Sequence, residues 1–135
     1  MRIFLDANIL FSAAQPHSRM RDFLAVLLKE DECVTNAYAI EEARRNLELK
    51  SPVSLRSLEA LLKRCELIPA IVTDLDVDLP AKDLPILGGA IAGQATHLLT
   101  GDQQDFGAYF GKTIQGVKVV SPRMLADELV RRGRL

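Results

Sequence analysis

Short apolar runs alternate along this chain with longer stretches of helical period, and that alternation leaves few folds open. Residues 2–5, 33–35, 66–68, 97–100 and 117–120 are brief and mostly apolar or β-branched, as buried strands are. Between them lie helical patterns. Ser18 is placed to cap a helix over 18–30, with Met20, Phe23, Leu24, Leu27 and Leu28 at helical spacing. Asn36 is placed to cap a second over 37–50. There Ala39, Ile40, Ala43 and Leu47 form the apolar face, and Glu41–Arg45 and Arg44–Glu48 are i,i+4 pairs of supportive sign. Ser54 opens a helix to about residue 64, and Ser121-Pro122 opens a last one over 122–132. Residues 7–17 and 69–82 read as connections. A helix over 84–94 has Pro85 in its first turn, where proline is tolerated. Gly88 and Gly89 weaken that helix, so close packing against a neighbour has to hold it. The order predicts an α/β domain with a mostly parallel sheet, wound by right-handed crossovers.

A length of 135 residues with 48% apolar content fits one domain, 1–135, around a single core. The longest weakly polar run, 84–93, is too short to cross a bilayer. Asp6 interrupts the apolar start that a secretory leader needs. The reading is a soluble, cytoplasmic protein without a membrane partner. Cys33 and Cys65 have neither metal-site spacing nor a catalytic partner, and read as reduced, buried thiols.

Four acids stand out by position. Asp6 and Asp102 each end a predicted strand, Asp83 stands at a helix start, and Glu42 lies one turn into its helix, off the charged face. In a parallel α/β sheet, ligands bind beyond the carboxyl ends of the strands. There the four acids can meet. Two carboxylates ~5 Å apart repel by roughly 3 kcal/mol at an effective dielectric of ~20, so convergence calls for a cation. Oxygen-only donors select hard ions, Mg²⁺ or Mn²⁺. Such ions suit phosphodiester hydrolysis by an activated water. Asn8 and Thr100 are placed to support Asp6 and Asp102, and Asp105 is an accessory acid. Taken singly, each acid has an ordinary use as a cap or turn residue; one shared site accounts for all four together.

These residues resemble the PIN domain family, which includes the toxins of VapBC-type toxin–antitoxin pairs. Leu5-Asp6-Ala7-Asn8-Ile9-Leu10 is similar to the family's opening strand and first acid. Ile40-Glu41-Glu42-Ala43 is similar to the second acidic position. Asp83-Leu84-Pro85-Ile86-Leu87 with Ala90 resembles the third, and Leu99-Thr100-Gly101-Asp102 with Asp105-Phe106 the fourth. Val117 to Leu129 resembles the closing strand and helix. The resemblance implies a three-layer α/β/α fold with a five-stranded parallel sheet. It also implies one or two Mg²⁺ or Mn²⁺ ions held by Asp6, Glu42, Asp83 and Asp102, cleavage of RNA, an antitoxin partner and a homodimer. Where relatives carry a serine after the second strand, this chain has Asn36 after Thr35.

Net charge is −1, from 17 basic and 18 acidic residues, so charge alone does not coat a polynucleotide. Without the four acids above, 14 acids face 17 bases, a mildly basic remainder. Arg19, Arg21, Arg44, Arg45 and Lys112 are the candidate RNA contacts, and Tyr38, Phe106, Tyr109 and Phe110 the candidate stacking rings. Arg131, Arg132 and Arg134 form a basic tip for RNA, for an acidic partner or for the helix C-terminus. The 18–30 stripe serves the core first, and what remains is available to a second copy or an antitoxin. Two alternatives use the same residues. A haloacid-dehalogenase-like phosphatase would make Asp6 the covalent nucleophile, but position 8 would then need an acid and holds Asn8. A non-catalytic RNA-binding module would keep the fold alone.

Overall fold

The computed structural model describes residues 1–135. Its elements, in chain order, are β1 (Arg2–Leu5), α1 (Ala7–Ala14), α2 (Arg19–Glu30), β2 (Glu32–Thr35), α3 (Ala37–Lys50), α4 (Leu55–Leu62), β3 (Glu66–Leu67), α5 (Leu84–Ala92), β4 (His97–Leu99), α6 (Gln103–Phe106), β5 (Thr113–Ile114), β6 (Val117–Val120) and α7 (Pro122–Arg131). Ser18 and Asn36 cap α2 and α3 as the sequence leads one to expect, accepting from the amides of Arg21 and Ala39. The helix after Ser51 begins with a tight 3₁₀ turn at Pro52–Ser54 before α4.

The sheet runs β3-β2-β1-β4-β6-β5, parallel throughout except for the antiparallel β5–β6 pair. The expected count of five holds for the parallel strands; the sixth is a correction. Thr113 pairs with Lys118 and Ile114 with Val117 across a two-residue turn. Gln115 and Gly116 both have positive φ there, 46° and 89°, as a hairpin of this length requires. Glutamine gives little notice of such a turn, so the sequence pattern missed it. A second correction concerns residues 7–17. Most of that span is α1, because Asp6 caps the Ala7 amide and Ile9, Leu10, Ala13 and Ala14 bury one helical face.

The chain leaves β1 toward β2 and β3, then returns across the sheet to β4 and β6. Strand order therefore reverses at β1, and the crevice between the carboxyl ends of β1 and β4 is the fold's switch point. Right-handed crossovers in the two directions place helices on both faces. The core is one cluster of 30 buried residues, centred on Ile3, Phe4, Leu5, Leu98, Leu99 and Val119 and closed by α1, α3 and α5. Both thiols lie in or against it, and burial pushes Cys33 up to about 12 and Cys65 up to about 11. Neither is a nucleophile at neutral pH.

Close packing does hold α5. A Cβ at Gly88 would stand 2.3 Å from the Val72 carbonyl oxygen, and one at Gly89 would stand 2.3 Å from Asn36 Nδ2. The Val72 amide donates to the Gly88 carbonyl at 3.0 Å, so the irregular 69–80 segment is clipped onto the helix that carries Asp83. Gly88→Ala, normally favourable in a helix, is expected to cost about 2–3 kcal/mol here through overpacking. Urea unfolding checks this: an unchanged or raised midpoint would mean that the approach of Val72 is not required.

Candidate active site

Each expected acid can be followed from its element. Asp6 follows β1 directly and Asp102 ends the Thr100-Gly101 turn after β4; both sit at the switch point. Asp83 closes a short 3₁₀ turn, Ala81–Asp83, at the head of α5. Glu42 projects from the second turn of α3. All four line one cleft of about 510 Å³.

Asp6 is almost fully buried, at 3% exposure, and both of its oxygens are engaged. Oδ1 accepts from the Ala7 amide at 2.7 Å. Oδ2 accepts from the Thr100 hydroxyl at 2.8 Å and from Asn8 Nδ2 at 3.1 Å. The Thr100 hydroxyl in turn accepts from the Asp102 amide at 3.1 Å, and Asn8 Oδ1 accepts from the Gly101 amide at 2.7 Å. Thr100 and Asn8 thus tie the end of β1 to the turn after β4. Burial raises the Asp6 pKa above the ordinary value. The bonds from Thr100, Ala7 and Asn8 oppose this, and the Glu42 charge adds to it. Asn8 spends its amide on these bonds and is no proton donor, so the geometry gives no support to a phosphatase with Asp6 as nucleophile.

The tightest grouping is not the expected foursome. Oxygens of Asp83, Asp102 and Asp105 lie within 4.8 Å of one another, with Asp6 and Glu42 further along the same cleft. Asp105 enters because α6 starts at once after Asp102: its amide donates to Asp102 Oδ1 at 3.0 Å, and the cap brings the two carboxylates together. Lys82 Nζ stands 3.2 Å from Asp105 Oδ2. Burial, and then the hydrogen bond with Asp105, pushes Asp83 up to about 7. Asp105 is held below its ordinary range by its hydrogen bonds to Asp83 and Lys82. One oxygen of Asp83, Oδ2, is buried and has no hydrogen-bond partner. An unpaired buried carboxylate oxygen among like charges offers a ligand to an oxygen-coordinated dication. The donor set is all oxygen and fits Mg²⁺ or Mn²⁺.

The expected RNA contacts lie elsewhere. Arg21 donates to the Ala13 and Ala14 carbonyls and to Ser57. Arg44 reaches Glu59 on α4 at 2.7 Å rather than pairing along its own helix. Lys112 lies 5.9 Å from the Tyr109 ring centroid. None of these lines the cleft, nor do Arg19 and Arg45. Phe106 is fully buried and offers no stacking face. In the basic tip, Arg132 pairs with Glu128 and Arg134 with Glu30 and Asp31. Glu128 also meets His97 at the start of β4, the end of the sheet away from the acids. From the 18–30 stripe, Leu24 and Leu27 are buried, while Leu24 and Leu28 line a smaller cleft with Ala13, Arg21, Leu61 and Arg64. The residues that sequence reasoning passed over are Phe11, Ser12, Lys50 and Lys82, all on the cleft wall. The only early sign of Lys50 was its spacing: Glu42, Asn46 and Lys50 follow one another at i+4 along α3.

No family model matches the sequence, and no curated protein matches it. Solved structures do match. The chain has the PIN-like α/β fold of these structures, with a six-stranded, mostly parallel sheet. VapBC2 from Rickettsia felis, bound to a DNA fragment from its promoter, is similar at TM-score 0.66 and 21% identity. The match covers 90% of this chain and 98% of that one. FitAcB from Neisseria gonorrhoeae gives 0.59 and 19%, again over 90% and 98% of the two chains. VapBC-1 from nontypeable Haemophilus influenzae gives 0.58 and 16% over the same shares. At these identities the shared property is the fold.

A carboxyl group whose pKa is raised on folding destabilises the folded state above the unfolded value, and this cost is absent once both states are protonated. Asp83 falls in that class, and the opposite shift of Asp105 offsets part of the cost. Without metal, Asp83→Asn is expected to stabilise the protein by about 1–2 kcal/mol at pH 8, with the gain growing in between pH 4 and pH 7. Urea melts in EDTA at pH 4 and pH 8 check it; an equal gain at both would rule out the titration as its source.

Proposed function

We propose that this chain is a metal-dependent endoribonuclease that hydrolyses RNA phosphodiester bonds, and that it is the toxin of a type II toxin–antitoxin pair. The observation that carries the reading is the Asp83–Asp102–Asp105 trio, with its unpaired buried oxygen, opening into the cleft that Asp6 and Glu42 also line. Asp6, Glu42, Asp83 and Asp102 are the proposed holders of Mg²⁺ or Mn²⁺, and Asp105 is added to them. Bound there, such an ion would offset phosphate charge and make water a competent nucleophile near neutral pH.

The chain's own residues set the geometry. Thr100 and Asn8 hold the rotamer of Asp6 and favour its charged form against burial. The Thr100 hydroxyl and the Asp105 amide together fix the turn that aims Asp102. Carboxylates held this way need little reorganisation when a cation and a phosphate arrive. Lys82, on the cleft wall beside Asp105, is placed to meet phosphate charge. The likeness to VapBC2 and FitAcB supports an antitoxin as the partner. The acid cleft supports this chain as the nuclease rather than the partner component. The remaining apolar surface on α2, at Ala25 and Leu28, is available to an antitoxin or to a second copy.

The purified protein is expected to cut RNA in Mg²⁺ or Mn²⁺ and to stop in EDTA. Asp6→Asn and Asp102→Asn should each lower the rate at least about a hundredfold, and Thr100→Val about ten- to a hundredfold by misplacing Asp6. Full activity of both Asn variants would remove the assignment. Growth arrest on expression, relieved by the protein encoded next to it, tests the toxin part separately.

A further inference from the structure

Carboxylates that attract a cation also repel a polynucleotide, so the approach to them needs positive charge. Two cations line the acid cleft, Lys50 and Lys82. Asp105 engages Lys82. The Lys50 ammonium instead lies 5.8 Å from the centroid of the Phe11 ring. That is the long end of the cation–π range, a loose cover that a better partner can displace.

The geometry along α3 gives the site a direction. Glu42, Asn46 and Lys50 all line the cleft, one turn apart. Lys50 therefore stands ~12 Å from Glu42 along the helix axis. Facing it from α1, Phe11 and Ser12 follow the turn that Asp6 begins, and α1 packs directly on α3. The cleft is thus a track between two helices, acidic at the switch point and aromatic and basic at the other end. Phe11 is half-buried, anchored in the core yet open on the cleft side.

We propose that Phe11 and Lys50 form a nucleotide subsite at the outer end of this cleft, Phe11 stacking on an unpaired base and Lys50 holding the adjoining phosphate. Only a base freed from its own helix can lie on a protein ring, so the subsite selects single-stranded segments. Asn46, midway, faces the intervening nucleotide with an amide that both donates and accepts. The proposal rests on the nucleic-acid reading of the cleft and adds to it the residues that grip the strand.

The test measures binding of a labelled single-stranded RNA oligonucleotide by the full chain in Ca²⁺, with cleavage in Mn²⁺ read separately. Lys50→Met, which keeps the aliphatic stem over Phe11, is expected to reduce the log–log salt slope by about 0.7, and Lys50→Arg to restore it. Phe11→Leu should weaken single-strand binding about tenfold and leave binding of an RNA duplex unchanged. Melting temperature and Mn²⁺ affinity should stay at wild-type values in both Lys50 variants; Phe11→Leu should keep wild-type Mn²⁺ affinity and duplex binding, with a melting temperature somewhat lowered by the lost ring packing but well above the assay temperature. Wild-type affinity and slope in Lys50→Met and Phe11→Leu, with cleavage intact in the parent, would overturn the subsite and leave the nuclease reading standing. Weakened binding by both variants of a parent that cuts nothing would support the subsite and remove the nuclease reading.

Discussion

The hydrogen bond from the Thr100 hydroxyl to Asp6, 2.8 Å across the β1–β4 boundary, is the contact on which the site depends. It joins residues 94 positions apart in the chain. It does so at the point where strand order reverses and the two halves of the sheet part. The same hydroxyl accepts from the Asp102 amide, so one oxygen atom sets the spacing between the first and last acids of the motif. Without it Asp6 would be a carboxylate at 3% exposure with a weaker claim to its charge. Asn8 doubles the connection from the other side, holding Gly101 by its amide.

Electrostatic conflict is the second organising fact. The core could have closed over apolar residues at the switch point; instead it delivers four carboxylates to one cleft, with Asp105 against two of them. Part of the conflict is absorbed locally. Asp6 is quenched by three donors, Asp105 by Lys82, and Asp83 by taking up a proton near neutral pH. What remains is the unpaired Asp83 oxygen. Stability surrendered at a polar site is a common mark of function, because packing elsewhere does not need it.

Much of this was legible from residues alone. Asp6 after the apolar Ile3-Phe4-Leu5, and Asp102 after His-Leu-Leu-Thr-Gly, announce themselves as strand-end acids, because strands of this kind are short and their ends are polar. Gly88 and Gly89 announced a close approach, which Val72 and Asn36 supply. The hairpin at Gln115-Gly116 was hidden because positive φ at glutamine leaves no compositional trace. Helix α1 was hidden because Asp6 serves both as its cap and as a strand end, and the loop-like Asn8, Gln15 and Pro16 outweighed the buried Ile9, Leu10, Ala13 and Ala14. Arg21 and Arg44, read from the sequence as candidate RNA contacts, are engaged within the protein, by carbonyls and a glutamate that belong to other elements.

By itself the sequence determined the alternation of strands and helices, the parallel sheet and the four acids that end or flank its elements. Those follow from short-range rules of periodicity, capping and turn chemistry. Only the tertiary structure decided that Asp105 joins Asp83 and Asp102, that Lys82 answers them, and that Phe11 and Lys50 share a cleft with them. Each of those relations joins residues from different elements, or turns on a cap's exact geometry. Their distances are set by how helices pack on a twisted sheet, and local pattern carries no record of that.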